Sequence, residues 1–244
     1  MDTYGLIGYP LGHSFSRKFF TEKFEKEGID AQYLNFEIPS IEEFPDIIKN
    51  NPTLRGLNVT IPYKQQVMQY LDEISEEAKA IRAVNVVKVG KEGLTGYNSD
   101  VIGFVNSIRP LLKPHHKKAL ILGTGGASKA IRYGLEKKLG METLFVSRSA
   151  REGVITYEDV TAEVLQEYEV IVNCSPVGMY PHVDECPALP YEAMNESHLL
   201  YDLIYNPEET LFMKKGATMG ASVKNGHEML IRQALASWTI WNHC

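Results

Sequence analysis

Lys64 and Asp100 are the two side chains in this sequence best suited to work together as an acid–base pair. A carboxylate beside a lysine holds the ammonium charged and oriented. Such a lysine can give a proton to a carbonyl as a hydride arrives, and take it back in the reverse direction. Further polar groups accompany them. Ser14 and Ser16 stand at a helix start, where two hydroxyls and free backbone N–H groups can hold a carboxylate. Asn58 and Thr60 alternate along a strand just ahead of Lys64, and Asn85 lies among apolar residues, where an amide can face a polyol. Each also has a plain structural explanation. Ser14 can be a helix cap, Lys64 a solvated helix lysine, and Asp100 a first-turn acid. Asn58 and Thr60 can face solvent at an edge, and Asn85 can satisfy backbone.

A second set of residues points to a phosphate-bearing cofactor. The apolar run 119–122 reads as a buried strand, followed by Gly123-Thr124-Gly125-Gly126 and then by Ala127, Ala130, Ile131 and Leu135 at helical spacing. Strand, glycine turn and helix start are what a dinucleotide pyrophosphate requires, because glycine lets the backbone approach and the helix end offers unpaired N–H groups. The third fingerprint position holds Ser128, small enough for helix and strand to pack closely. One strand later, 143–146 ends in Ser147-Arg148-Ser149-Ala150-Arg151. An NAD site would place an acidic residue there for the ribose 2′-hydroxyl, and none is present. Arginines and hydroxyls instead suit a 2′-phosphate, which favours NADP over the alternative of a solvated basic loop.

The elements that must position these groups alternate. Residues 4–8, 32–38 and 55–60 read as strands. Helices are expected from Ser14 to Gly28, with Phe15, Phe19, Phe20 and Phe24 on one face, over 41–49, and opening at Pro62. That alternation predicts a parallel α/β sheet with ligands at the carboxyl ends of its strands. Residues 83–87 form another expected strand, and 99–112 a helix joining two domains. Beyond Arg151 the chain is short: Gly153 comes almost at once, 154–157 reads as a strand and 170–173 as a buried one. The last helix carries Leu230, Ala234, Trp238 and Trp241 as an apolar stripe that must pack on something.

Totals narrow the classes. At 244 residues the chain can make one large domain or two small ones, each with a core. A net charge of −6 without a basic block argues against nucleic acid. The three cysteines, Cys174, Cys186 and Cys244, cannot all pair and lack CxxC spacing, which suits a reducing compartment. The histidines show no metal-ligand spacing, so no metal is expected. The start has no signal peptide and the chain no membrane span, so a cytoplasmic protein without a membrane partner is expected.

Ser14-Phe15-Ser16, Asn58-Val59-Thr60-Ile61-Pro62-Tyr63-Lys64, Ala83-Val84-Asn85 and Asn98-Ser99-Asp100-Val101-Ile102-Gly103 resemble, in order, the motifs of the shikimate dehydrogenase family. The resemblance continues through Asn173-Cys174-Ser175-Pro176-Val177-Gly178-Met179 and Asp202-Leu203-Ile204-Tyr205-Asn206-Pro207 to the final helix. It implies two α/β domains: a substrate domain of residues 1–98 plus 226–244, and a Rossmann-like NADP domain of 99–225. It implies that Ser14, Ser16 and Tyr205 hold the shikimate carboxylate, that Asn58, Thr60, Asn85, Asp100 and Gln233 bind ring hydroxyls, and that Lys64 and Asp100 are catalytic. Gly123, Gly125, Gly126, Ala127, Ser147, Arg148, Ser149, Arg151, Ser175, Met179, Gly226 and Met229 would bind NADP. The implied reaction is the reversible reduction of 3-dehydroshikimate to shikimate with NADPH, by a monomer or homodimer. Two departures stand out. Ser147-Arg148-Ser149 replaces the family's Asn-Arg-Thr, and one crossover helix after it is missing, leaving the adenosine side more open. The rival readings are a quinate/shikimate dehydrogenase with relaxed cofactor use, against which Ser16 and the Ser147 loop argue, and a non-catalytic NADP-binding regulator, against which Lys64 and Asp100 argue.

Overall fold

The computed structural model describes residues 1–12 and 15–243; His13, Ser14 and Cys244 lie outside the described residues. Two compact units emerge, Met1–Ser99 with Ala234–Cys244, and Asp100–Gln233.

In the first unit the elements run β1 (Asp2–Gly8), α1 (Phe15–Glu27), β2 (Ala31–Glu37), α2 (Phe44–Asn50), β3 (Leu54–Val59), β4 (Glu73–Ile74), α3 (Glu76–Ile81), β5 (Val86–Gly90) and β6 (Gly93–Tyr97). Among the described residues they form one sheet of order β2-β1-β3-β5-β6-β4. The expectation of a purely parallel sheet is corrected here. β1 pairs parallel with β2 and β3, but β3–β5 and β5–β6 are antiparallel. The β5–β6 reversal comes from a tight hairpin, Gly90-Lys91-Glu92-Gly93, in which Gly93 sits at φ +128°, open to glycine. The strand expected over 83–87 begins only at Val86, because the Val84 N–H is donated to the Lys64 carbonyl at 2.7 Å. That bond also explains a second correction. No α-helix opens at Pro62: residues 61–65 make a turn and Gln66–Tyr70 a 3₁₀ helix, since the Lys64 carbonyl is taken from outside the segment.

Alternation along β1 serves two cores. Ile7 faces Leu57, Val59, Phe44 and Val67, while Tyr4 and Leu6 face Phe20, Phe24, Tyr33 and Trp241. Trp241 comes from the last helix, whose residues from Ala234 onward belong to this unit. Its indole lies on Gly56, where any Cβ would collide with the ring, and its Nε1 donates to the Val87 carbonyl at 3.1 Å.

The second unit runs α4 (Ser99–Ile108), β7 (Lys118–Leu122), α5 (Gly126–Tyr133), β8 (Glu142–Ser147), β9 (Val154–Thr156), α6 (Ala162–Glu167), β10 (Val170–Asn173), β11 (Leu199–Asp202), α7 (Leu211–Thr218), β12 (Ser222–Lys224) and α8 (His227–His243), the last shared with the first unit. The sheet order is β12-β11-β10-β7-β8-β9, and every pairing is parallel. β7, β10 and β11 are buried on both faces and mostly apolar, with Asn173 and Asp202 at the ends of β10 and β11, as a sheet covered on both sides requires. Between β8 and β9 there is no helix among the described residues. A parallel return normally needs a long crossover. β9 avoids it by pairing only with the last three residues of β8, Phe145 to Ser147, so the chain backs up by two residues rather than a full strand.

Candidate active site

In the first unit, short backbone bonds gather the polar residues at the carboxyl end of β3. The Val59 N–H donates to the Asn85 carbonyl at 2.9 Å, Tyr63 N–H to the Thr60 carbonyl at 2.9 Å, and Val84 N–H to the Lys64 carbonyl. Thr60, Lys64 and Asn85, separated by up to 25 positions in the sequence, thus share one corner of this unit. Thr60 and Lys64 are half-buried, and Asn85 is buried. Ser16 is half-buried in the first turn of α1; Ser14 lies outside the described residues.

Behind that corner runs a buried chain of hydrogen bonds. The Tyr33 hydroxyl meets the Ser16 side chain and donates to Asn58 Oδ1 at 2.8 Å. Asn58 Nδ2 donates to Ser237 Oγ at 2.9 Å and to the Asn85 carbonyl at 3.4 Å. Ser237 and Ser99 hydroxyls lie 3.2 Å apart. Asn85 closes the circuit: its Oδ1 accepts from the Ser99 N–H at 2.7 Å and its Nδ2 donates to Ser99 Oγ at 3.1 Å. Burial pushes the Tyr33 phenol up, so it stays a donor. Both N–H groups of Asn58 are committed inside the protein, which makes this amide a brace for the site's other residues as much as a contact for a ligand. Sequence reasoning missed Tyr33 and Ser237. The only available signal was a serine four residues after Gln233 on the apolar side of a helix.

In the second unit, Asp100 is buried in the first turn of α4. α4 and α8 approach closely where a Cβ on Gly103 would lie 2.7 Å from the Met229 carbonyl and 2.9 Å from the Gln233 Cβ. Gln233 is buried, with Nε2 donating to the Leu230 carbonyl at 2.9 Å. Met229 is buried as well, and Gly226 sits where any Cβ would collide with the Leu203 carbonyl. Tyr205 is 45 % exposed just beyond β11.

The glycine turn follows β7. Gly123 has φ +96°, a conformation glycine tolerates, and a Cβ on it would sit 3.2 Å from the Ser175 nitrogen. Gly125 and Gly126 face open space, with nothing within 4 Å of a Cβ position. Gly125 caps α5 in an extended conformation without any side-chain bond to the helix N–H groups. Ser128 Oγ is spent on the Gly125 carbonyl at 2.6 Å, so that the serine at the third fingerprint position is satisfied within the turn. Ala127 is half-buried beside it. At the end of β8, Ser147 is half-buried and Arg148, Ser149 and Arg151 are exposed. An open glycine cradle at a helix start, with two arginines one strand away, fits a phosphorylated dinucleotide. Ser175 is held by Asn173 Oδ1, which accepts from its N–H at 3.0 Å and its hydroxyl at 2.7 Å. Met179 stands 47 % exposed at the far end of the same loop. Burial pushes the Cys174 thiol up, away from the thiolate a nucleophile needs. No cluster able to hold a metal occurs among the described residues.

Comparison with known proteins places the chain in a family. Residues 6–87 match the model of the shikimate dehydrogenase substrate binding domain. The chain is 38 % identical to the shikimate dehydrogenase (NADP(+)) of Clostridium beijerinckii, covering 100 % of this chain and 93 % of the relative. It is 35 % identical to that of Caldicellulosiruptor saccharolyticus, covering 97 % and 90 %. The crystal structure of the Thermus thermophilus shikimate 5-dehydrogenase in complex with NADP(H) and shikimate superposes with a TM-score of 0.87 at 29 % identity, covering 100 % of this chain and 94 % of that one. The chain belongs to the shikimate dehydrogenase family.

Proposed function

We propose that this chain interconverts 3-dehydroshikimate and shikimate with NADP(H), a step in the synthesis of aromatic compounds. The observation that carries the reading is that a near full-length match to NADP(+)-named shikimate dehydrogenases coincides with an open glycine cradle and an exposed Arg148-Ser149-Ala150-Arg151 stretch after Ser147.

In this reading the unit Met1–Ser99 with Ala234–Cys244 supplies most of the substrate contacts and the unit Asp100–Gln233 the dinucleotide contacts. Ser14, Ser16 and Tyr205 hold the carboxylate. Thr60, Asn85, Asp100 and Gln233 bind ring hydroxyls, with Asn58 contributing what its one remaining lone pair allows. Bound NADPH supplies the hydride. Lys64 gives its ammonium proton to the carbonyl oxygen that becomes the hydroxyl, and as the neutral amine recovers it in the reverse direction. Asp100 is the partner of that lysine in the proposed acid–base pair. The N–H groups at Gly125, Gly126 and Ala127 receive the pyrophosphate, and Ser147, Arg148, Ser149 and Arg151 the 2′-phosphate. Ser175, Met179, Gly226 and Met229 border the nicotinamide end. We read the protein as a cytoplasmic monomer or homodimer, in keeping with free Cys174 and Cys186 thiols.

The test is a steady-state assay following NADPH absorbance with shikimate or quinate, and NADP or NAD, in all four combinations. Turnover of shikimate with NADP well above the other three is expected. No turnover of shikimate with either cofactor sinks the reading.

A further inference from the structure

Asp202 is a carboxylate with no exposed surface and no part in the acid–base step. It sits at the carboxyl end of β11, one strand from Asn173 at the end of β10, and the two are register partners. Three donors converge on it. Asn173 Nδ2 reaches Oδ1 at 3.1 Å, the Ile204 N–H reaches the same oxygen at 3.0 Å, and the Thr210 hydroxyl donates to Oδ2 at 2.7 Å. Thr210 in turn caps α7, accepting from the Met213 N–H at 3.3 Å. Asn173 is equally buried, and its amide is oriented by this contact: with Nδ2 turned to Asp202, Oδ1 must point at Ser175. It accepts both the N–H and the hydroxyl of Ser175 there, and Nδ2 also reaches the Val177 carbonyl at 3.4 Å. The Ser175 hydroxyl then accepts from the Val177 N–H at 3.4 Å. The loop so held rests against Gly123, the first glycine of the cradle.

Accordingly, we propose that Asp202 is the positioning residue of the cofactor-facing loop: through Asn173 it sets the orientation of Ser175 and the height of the loop over the glycine turn. The proposal rests on the NADP reading for its functional consequence, but not for its structural one. The Ser175 N–H and the Val177 carbonyl already favour this orientation of the Asn173 amide, and Asp202 Oδ1 takes the shorter of the two bonds from its Nδ2. Asp202 is acceptor-only in its charged form, so it adds to the barrier against a flip. The same carboxylate ties down the Ile204 N–H, one residue before Tyr205, so one buried charge anchors two strand-end loops.

The test compares Asp202→Ala and Asp202→Asn with the parent chain by two readouts. Hydrogen exchange of the Ser175 and Val177 amides is followed in the unliganded protein. Calorimetric affinity is measured for NADP and, separately, for 2′-phospho-AMP, which lacks the nicotinamide half. Asp202→Ala should speed exchange at both amides and weaken NADP by roughly 5- to 30-fold, the scale of one or two lost hydrogen bonds. It should leave 2′-phospho-AMP binding within about twofold, whereas general loosening of the unit weakens both ligands alike. Asp202→Asn keeps one acceptor oxygen and should restore most of the NADP affinity. If Asp202→Ala does not fold, Asn173→Ala cuts the chain one link later and is read the same way. Unchanged exchange and affinity in the folded variant, or equal weakening of both ligands, overturns the proposal. A parent chain that binds neither ligand overturns the NADP reading instead, and the exchange result then still decides the role of Asp202.

Discussion

Replacing Tyr33 with phenylalanine removes a single oxygen from the middle of the first unit's hydrogen-bond chain. The ring itself should not move. It is 3 % exposed and stacks on Phe20 with centroids 4.9 Å apart and planes 11° from parallel, contacts that phenylalanine keeps. What is lost is the donor to Asn58 Oδ1, at 2.8 Å, and the contact with Ser16. Asn58 is 5 % exposed, so its oxygen is left unsatisfied away from water, at a cost of about 1–3 kcal/mol. For a protein of this size that corresponds to a fall in Tm of roughly 2–4 °C per kcal/mol. Function should follow, since Asn58 also braces the Asn85 carbonyl and Ser237. The KM for shikimate is expected to rise by about 3- to 10-fold, with KM for NADP within about twofold. A double-mutant cycle with Ser237→Ala sharpens the test, because both side chains bond the same amide. Coupling of about 0.5–1.5 kcal/mol in stability is expected. Strict additivity, or an unchanged shikimate KM in folded Tyr33→Phe, refutes the view that this chain sets the substrate corner.

Other perturbations reach the remaining parts of the site. Lys64→Ala should lower kcat by roughly 10²–10⁴-fold with the fold intact by circular dichroism, and full activity removes the lysine from the proton step. Arg148→Ala should weaken NADP about tenfold while leaving NAD nearly unaffected, so an undiminished preference for NADP refutes the 2′-phosphate assignment. Asp202 has its carboxyl pushed up to about 6 by burial, against three hydrogen bonds that pull it down. The folded state therefore binds this proton more tightly than the unfolded chain does. Its stabilising share is complete below about pH 4 and is lost as pH rises through 6, a change of about 2–3 kcal/mol. Asp202→Asn should flatten that part of the stability profile, and parallel profiles for the two proteins contradict it.

Two neighbouring features show how differently the sequence and the tertiary structure speak. The glycine turn and its flanking elements were legible because their signal is local. Strand, glycines and helix start follow one another from Ala119 to Ile131, and the Ser147–Arg151 loop carries its charge in five consecutive residues. The shortened link after Arg151 was legible too, as missing length, but not its remedy; strand register alone shows that β9 pairs only with the end of β8. The turn at Pro62 was misread as a helix because the bond that stops it comes from Val84, twenty positions after Lys64.

By itself, then, the order of residues pointed to the groups proposed to carry the chemistry, since acid–base and phosphate recognition depend on residue type and short spacing. Only the tertiary structure decided what holds those groups still. Tyr33, Asn58, Asn85, Ser99 and Ser237 meet across as many as 204 positions, and Asp202 reaches Ser175 through an adjacent strand. Such contacts leave no period and no motif. A buried hydrogen bond is fixed by where two strands or a returning helix happen to lie, and that is settled by packing around Trp241 and the sheet, not by neighbours in the chain.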